Sequence, residues 1–409
     1  VGEKIGGILK ECVRLWKRGL KMKKTGVNGL YYITHINNVP SMLTHGIYSH
    51  EKIETEHIEF TRIYDENIVA NRHDIHVPDG RNLWKFANFF FQARNPMLYR
   101  VTNEKSVKDI AIVSVKPNIL DRLDIYISTG NAAHSLSDIL PVGEGLKILP
   151  QILNDTKVEW WNEADGSKRK IMAECLVPDM LPPEGIQAIY VSGHETKEKL
   201  EPLVREHNVP IIPEPHMFFL PTWVHMLTSR LYLLQGDMFF SKAQTVTVSV
   251  NTVGVMGKGL ASRAKYQFPD VYVYYQDLCR SKKLKMGKPQ IYKRESSLDY
   301  NLADEPHSLT SGNGEKWFLL FPTKRNWREM SDIKGIEEGL NWLVDNYKQE
   351  GIKSLAIPAL GCGLGRLDWK DVGPLMCKYL RQMDINVFIY IPAEKIIPDD
   401  YFKKEYLLA

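Results

Sequence analysis

Two side chains stand where chemistry is expected of them. Glu174 interrupts an otherwise apolar run, IMAECLV, directly after the basic triplet Lys168, Arg169 and Lys170. A carboxylate in an apolar strand is costly to bury without partners, so it is either a held acid or base, or it turns outward from a half-buried strand. The spacing leaves both open. Lys324 lies in FPTKRNW, at the end of another apolar run. An amine partly desolvated there is a nucleophile or polarising group; a solvated one is only a loop lysine.

Two glycine-rich segments accompany Lys324. NTVGVMGKGLA begins at Asn251 and carries Gly254, Gly257 and Gly259; PALGCGLGRLDW begins at Pro358 and carries Gly361, Gly363 and Gly365. Each follows a strand-like run, and glycines let backbone N–H groups approach an anion closely. One such loop alone is usually a turn, whereas two at strand ends can clasp a diphosphate from both sides. Asp368 precedes a helical pattern that begins near Trp369 and reads as its cap.

The first part of the chain carries candidates of its own. Thr34 and His35 end a strand, Arg72 sits in the polar segment NRHDIHVPDG, and FFFQARNPMLY gathers aromatics around Arg94. In VEWWNEADGSKRK, Trp160 and Trp161 can stack on an unpaired base while Lys168, Arg169 and Lys170 meet phosphates. The same residues also fit two core tryptophans and a solvated basic turn.

The elements that must position these groups follow from pattern. Leu30–Thr34, Ile110–Val115 and Ala188–Val191 read as strands, with a helix starting near Asn38 and stopping at Gly46. Later, Leu231–Leu234, Thr245–Val250, Trp317–Phe321, Leu355–Pro358 and Val387–Ile391 are mostly continuous apolar runs, as in a sheet covered on both faces. Between them, Ile336, Leu340, Leu343, Val344 and Tyr347 make one helical face. Strands alternating with helices argue for a layered α/β domain. The proline-rich stretch from Pro213 to Trp223 reads as a connector. The expected division is a basic amphipathic helix over 1–24, a first domain over 25–219, a linker over 220–229 and a second domain over 230–409. The terminal helix is either a solvated face or a contact for DNA or a partner.

Composition bounds the setting. At 409 residues the chain exceeds one ordinary core, and its charge of +4 is too small to prove nucleic-acid binding by itself. No apolar run is long enough for a membrane span, and the first residues do not form a secretory signal. Five scattered cysteines, none in a CxxC pair, point to a reduced cytoplasm and no structural zinc.

GDM (236–238), NTVGVMGKG, FPTKRNW and PALGCGLG resemble the signature segments of a macrodomain, specifically the DarG-type antitoxins. The resemblance implies that Asp237 accepts a hydrogen bond from adenine. It also implies that the loops at Gly257, Gly259, Gly361, Gly363 and Gly365 clasp the diphosphate and distal ribose, with Asn251 near that ribose. Lys324 becomes the catalytic residue; related glycohydrolases carry an assisting aspartate where this chain has Gly365.

YYITHINNVPSMLTHGI, the Arg72 segment, RNPMLY, STGNAA (128–133) and AECLVP resemble DarT, the DNA-base ADP-ribosyltransferase toxin. That implies an α+β ADP-ribosyltransferase domain followed by a three-layer α/β/α macrodomain, with NAD as substrate and no metal. Thr34 and His35 would lie along the nicotinamide and its ribose, beside Tyr32, where the family often has histidine. Arg72 would hold the diphosphate and assist catalysis, Asn131 would lie near the acceptor base, and Glu174 would be the catalytic glutamate. The leading expectation is a toxin–antitoxin fusion in a prokaryotic cytoplasm. Its first domain would modify single-stranded DNA, on thymine before guanine, and its second would remove the ADP-ribose, with the two domains in contact. The alternatives are a protein-directed transferase and a macrodomain that only binds ADP-ribose and caps the transferase.

Overall fold

The computed structural model describes residues 26–64, 70–295, 297–305, 309, 314–392 and 395–409. The basic amphipathic segment expected over 1–24 lies outside them.

Ten strands occur among the described residues of the first half. They are β1 (Leu30–His35), β2 (Ile47–Tyr48), β3 (Phe86–Phe90), β4 (Ile110–Val115), β5 (Tyr126–Ser128), β6 (Ile139–Pro141), β7 (Glu174–Pro178), β8 (Met180–Leu181), β9 (Ile186–Val191) and β10 (Ile211–Pro213). Eight form one sheet in the order β10-β9-β4-β1-β3-β7-β5-β6, antiparallel except for the β9/β10 pair. The β-branched and aromatic content of β4 explains its central place, with all six residues buried. The helix Val39–His45 starts and stops as its sequence indicates. Gly46 ends it at φ 99°, and a Cβ there would lie 2.3 Å from the Leu181 carbonyl oxygen, so only glycine fits.

The second half forms a seven-stranded sheet from β11 (Trp223–Met226), β12 (Leu231–Gln235), β13 (Thr245–Asn251), β14 (Gln290–Lys293), β15 (Trp317–Lys324), β16 (Ser354–Pro358) and β17 (Asn386–Tyr390). Its order is β11-β12-β17-β16-β13-β15-β14, with five parallel inner strands and an antiparallel strand at each edge. The continuous apolar runs arise because helices cover both faces. Phe318 and Leu320 pack with Phe268, which joins the helices Gly259–Gln267 and Pro269–Arg280, and with Tyr275 of the second. Leu319 and Phe321 point the other way, onto the helices Ile333–Glu350 and Trp369–Leu380. This is a three-layer α/β/α domain.

The connector needs correction. Residues 220–229 contain β11, which pairs with β12 from Trp223–Gln235 to Met226–Tyr232. The prolines before it carry β10 and a short 3₁₀ turn, Pro215–Phe218. Prolines at an edge strand and a turn mimic a linker in composition, although the segment is part of both sheets.

The two halves share one hydrophobic core. Ile33, Phe90, Ile110 and Trp161 of the first are continuous with Phe239, Phe240, Val246 and Phe268 of the second. Polar contacts cross the same seam: Arg94 to Asp237 at 3.1 Å, Tyr99 to Asp299 at 2.9 Å and Arg100 to Asp304 at 2.7 Å. Such a shared core predicts one cooperative thermal transition for the whole chain by calorimetry. Trp161→Ala should lower stability by about 3–5 kcal/mol, as for other buried aromatic truncations. Two well-separated transitions in the unaltered chain would contradict this coupling.

Candidate functional site

Glu174 is a held carboxylate, not an outward one. It is 1 % exposed at the first position of β7, opposite Phe90 on β3. Its Oε2 accepts from an Arg72 guanidinium nitrogen at 3.1 Å, and its Oε1 accepts from the Ala132 amide at 2.9 Å. Its own amide donates to Ser128 Oγ at 2.9 Å, and that hydroxyl donates to the Gly130 carbonyl at 2.6 Å. The STGNAA loop therefore folds around the carboxylate, fixing where its lone pairs point. Arg72 reaches it from the 3₁₀ turn Asn71–His73.

Beside Arg72 lies a ring stack absent from the sequence-level candidates. Trp84 is sandwiched between His50, at a 4.4 Å centroid distance, and His73, at 4.2 Å. His50 Nδ1 lies 3.0 Å from the Tyr64 hydroxyl. Burial pulls the His50 pKa down to about 4, helped by the positive charges of Arg72, His73 and Arg62. A neutral His50 accepts from Tyr64 and leaves Arg72 without a competing cation. Its only local signal was Ser49, which caps the helix His50–Thr55.

The β1 candidates separate. Alternation puts Tyr32 and Thr34 on one face of the strand and His35 on the other, so the three cannot line one ligand together. Tyr32 is half-buried against Phe89, near Arg72; burial outweighs that positive charge and pushes its pKa up to about 12. Thr34 is buried, and its hydroxyl accepts from the Asn38 amide. Asn38 in turn ties down the Thr61 backbone at 2.7 and 2.8 Å. His35 caps the next turn by accepting from the Asn37 amide. Burial, together with Lys105, lowers its pKa against the opposing charge of Asp109. Thr34 thus helps to anchor Asn38, and His35 the turn after β1.

The proposed DNA contacts divide similarly. Trp161 is fully buried, donates to the Leu302 carbonyl at 3.0 Å and packs on Phe219 and Phe240. Lys168 is buried too, between the Tyr300 carbonyl at 3.2 Å and Glu163 at 3.0 Å. Both serve the seam between the halves, which corrects the expectation for them. Trp160 remains half-exposed in a surface hollow with Val158, Glu159, Asp165 and Ser167. Arg169 donates to Ser137 Oγ at 3.1 Å, and its carbonyl accepts from the Asn131 amide at 2.9 Å. Lys170 lies 3.6 Å from Asp155. Asn131 is half-exposed on the loop that cradles Glu174, its Oδ1 accepting from the Ala133 amide.

In the second half, Lys324 ends β15. Its Nζ donates to the Glu329 carbonyl at 2.9 Å and the Leu364 carbonyl at 3.3 Å. Burial lowers its pKa, and the Arg366 charge adds to that against Glu329, so a free amine is reached more readily than on an open surface. The glycine loops meet here. A Cβ on Gly363 would meet nothing within 4 Å and one on Gly257 only Val255 at 3.9 Å, whereas on Gly259 it would lie 3.2 Å from Leu364. Gly361 is at φ 74°. A Cβ on Gly365 would lie 2.2 Å from Ser331 Oγ and 2.4 Å from the Gly361 carbonyl oxygen, so no assisting aspartate can stand there without rebuilding the loop.

Asn251 and Asp237 both have partners within the fold. The Asn251 amide is consumed within its own loop, donating to the Val255 carbonyl at 2.6 Å and accepting from Val253 and Tyr275. It shapes the loop rather than presenting a free amide. Asp237 is held by Arg94 at 3.1 Å and Arg263 at 2.8 Å. Burial pushes its carboxyl up, but Arg263 and Arg94 outweigh it and keep it below the usual carboxylate range. Both carboxylate oxygens of Asp237 are thus engaged by arginines. Among the described residues, no three histidine, cysteine or acidic side chains gather as a metal site. No described helix is long and apolar enough to cross a membrane.

Two outcomes follow from this geometry. Between pH 6.5 and about 4 only the unfolded chain protonates at position 50, so stability falls as pH drops, by up to about 3 kcal/mol. Chemical denaturation across that window should show a shallower loss for His50→Gln; an unchanged slope would count against the assignment. Gly365→Ala should abolish any activity of the Lys324 loops while leaving that of the Glu174 centre intact, as assayed on the same preparation.

The family model for the ssDNA thymidine ADP-ribosyltransferase DarT matches residues 31–219, and that for the Macro domain matches 308–376. A DNA ADP-ribosyl transferase–DNA ADP-ribosyl glycohydrolase fusion protein of Thermosipho africanus is 57 % identical over 380 residues, covering 93 % of this chain and 98 % of the relative. The solved structure of Thermosipho africanus DarTG in complex with ADP-ribose superimposes with a TM-score of 0.90 at 56 % identity, covering 93 % of this chain and 100 % of that one. A DNA ADP-ribosyl glycohydrolase of Mycobacterium tuberculosis is 32 % identical over 159 residues, 39 % of this chain and 41 % of the relative. With both centres assembled in one polypeptide and this likeness along nearly its whole length, the chain belongs to the family of DNA ADP-ribosyl transferase–DNA ADP-ribosyl glycohydrolase fusion proteins.

Proposed function

We propose that Glu174 and Arg72 transfer ADP-ribose from NAD to thymine in single-stranded DNA, and that Lys324 takes it off again. The observation that carries this is the burial of Glu174 with both oxygens directed, by Arg72 and the Ala132 amide.

Loss of nicotinamide breaks the bond from its ring nitrogen to the ribose and leaves an oxocarbenium-like sugar. Glu174, accepting from a ribose hydroxyl, stabilises that positive charge, while Arg72 offsets the diphosphate. A base nitrogen then bonds to the anomeric carbon and its proton passes to Glu174. Asn131, on the same loop as Ala132, faces the acceptor base, with Trp160, Arg169 and Lys170 as the remaining DNA contacts. Duplex pairing hides the reacting edge, so the strand must be single.

In the second half the glycine loops hold the diphosphate, and Asp237 together with its arginines meets the adenine. The Lys324 amine attacks the anomeric carbon, the base leaves carrying a proton, and water then releases the sugar from lysine. The two activities make a toxin–antitoxin pair within one chain, in the cytosol of a bacterium. The DarT model match, whose description reads thymidine, supports thymine over guanine.

Mass spectrometry of single-stranded oligonucleotides incubated with NAD tests both roles. Lys324→Ala should accumulate one added ADP-ribose per site, released as modified thymidine on digestion, while the unaltered chain leaves little. Glu174→Gln should lower transfer by at least about a hundredfold, the scale of a lost acid–base group. Modified guanosine would move the assignment to the other base. Labelling confined to polypeptide would reject a DNA acceptor.

A further inference from the structure

Large exposed apolar side chains crowd around Lys324. Trp327 is 51 % exposed and Met330 59 %, on the turn that follows β15; Leu364 is 64 % exposed on the glycine loop opposite. Exposed apolar surface grouped at a reactive centre marks a contact for something else. The turn is built rather than loose. Asn326 Oδ1 accepts from the Arg328 amide at 3.1 Å, and the Asn326 amide donates to Glu329 Oε2 at 3.1 Å. The Ser331 amide donates to the Gly365 carbonyl at 3.0 Å, and Lys324 itself bonds the Glu329 carbonyl.

The charge on this patch is complementary to phosphate. The turn's one carboxylate, Glu329, is exposed and accepts from the Asn326 amide, and three arginines, Arg325, Arg328 and Arg366, are exposed around it, so positive charge predominates. The Arg328 guanidinium lies 4.7 Å from the centroid of the Trp327 ring, covering one face of the indole. An exposed indole backed by a guanidinium is the arrangement on which an unpaired base stacks while its phosphate meets the cation.

We infer that the Trp327–Arg328 turn is a single-stranded DNA subsite of the hydrolase, gripping the nucleotide next to the modified base. This rests on the hydrolytic role of Lys324 proposed above. The base being released is bonded to the carbon that Lys324 attacks, so its strand leaves the site within a nucleotide of that amine. Trp327 stands three residues further along the chain, on the turn whose carbonyl holds the amine. ADP-ribose, held by the glycine loops, does not require this turn; the DNA does. The subsite gives the second half a preference for ADP-ribose on a strand over ADP-ribose elsewhere.

The test uses the full chain without NAD, acting on an ADP-ribosylated oligonucleotide made beforehand with Lys324→Ala protein. Trp327→Ala should raise KM for ADP-ribose release on the order of tenfold, the size expected from one lost stacking contact, with kcat little changed. Its affinity for free ADP-ribose, by calorimetry, should stay at the level of the unaltered chain. Arg328→Gln should flatten the salt dependence of KM by about one phosphate contact. An unaltered KM in Trp327→Ala overturns the inference. A parallel loss of ADP-ribose affinity also overturns it, by assigning the turn to the sugar nucleotide. If the unaltered chain releases no ADP-ribose from the oligonucleotide, the hydrolase reading fails first and removes the subsite with it.

Discussion

Asp237, buried between Arg94 of the first half and Arg263 of the second, is the contact on which the relation between the two domains depends. Three charges leave one net positive charge in a largely dry place, which water would otherwise solvate better. Aromatic faces compensate. The Arg94 guanidinium lies 4.8 Å from the Phe219 centroid and 4.5 Å from that of Phe240, and Arg263 lies 4.7 Å from Phe239. The geometry works only if the domains meet in one orientation, because a guanidinium moved by a few ångströms loses carboxylate and ring together. Buried ionic groups of this kind serve uniqueness of packing more than net stability.

That seam joins the centres materially. The segment from Trp161 to Lys168 bonds the second domain through the Leu302, Tyr266 and Tyr300 carbonyls. The next residue, Arg169, holds the Asn131 amide on the loop that cradles Glu174. A chain of backbone and side-chain contacts therefore runs from the macrodomain to the acceptor side of the transferase. Two reactions of opposite sense share a scaffold in which the loop around Glu174 is tied to the domain contact.

The chemical division is equally physical. Glu174 lies 3.1 Å from the Arg72 guanidinium, a placement suited to the proposed sugar that becomes cationic as nicotinamide departs. Lys324 is partly desolvated and close to Arg366, suited to donating an electron pair to the same carbon. In the proposed reactions a carboxylate serves to make the glycosidic bond and a neutral amine to break it, on separate sheets, and each is placed at the end of a strand: Glu174 starts β7 and Lys324 ends β15.

Local pattern determined much of this protein. Strand and helix positions, the Asp368 cap and the two glycine loops were legible because each depends on neighbours a few residues away. Tertiary structure alone decided the rest. An arginine among aromatics reads alike whether it meets DNA, NAD or a second domain, and Arg94 found its carboxylate 143 residues away. Trp161 and Lys168 looked like nucleic-acid contacts because stacking and burial use the same surfaces; the second domain covers them. The prolines before β11 suggested a connector, whereas residues 223–226 pair with β12 as sheet. Spacing records which groups a strand can present, but the partner that each group meets is set by contacts far apart in the chain, whose energies outweigh local preference.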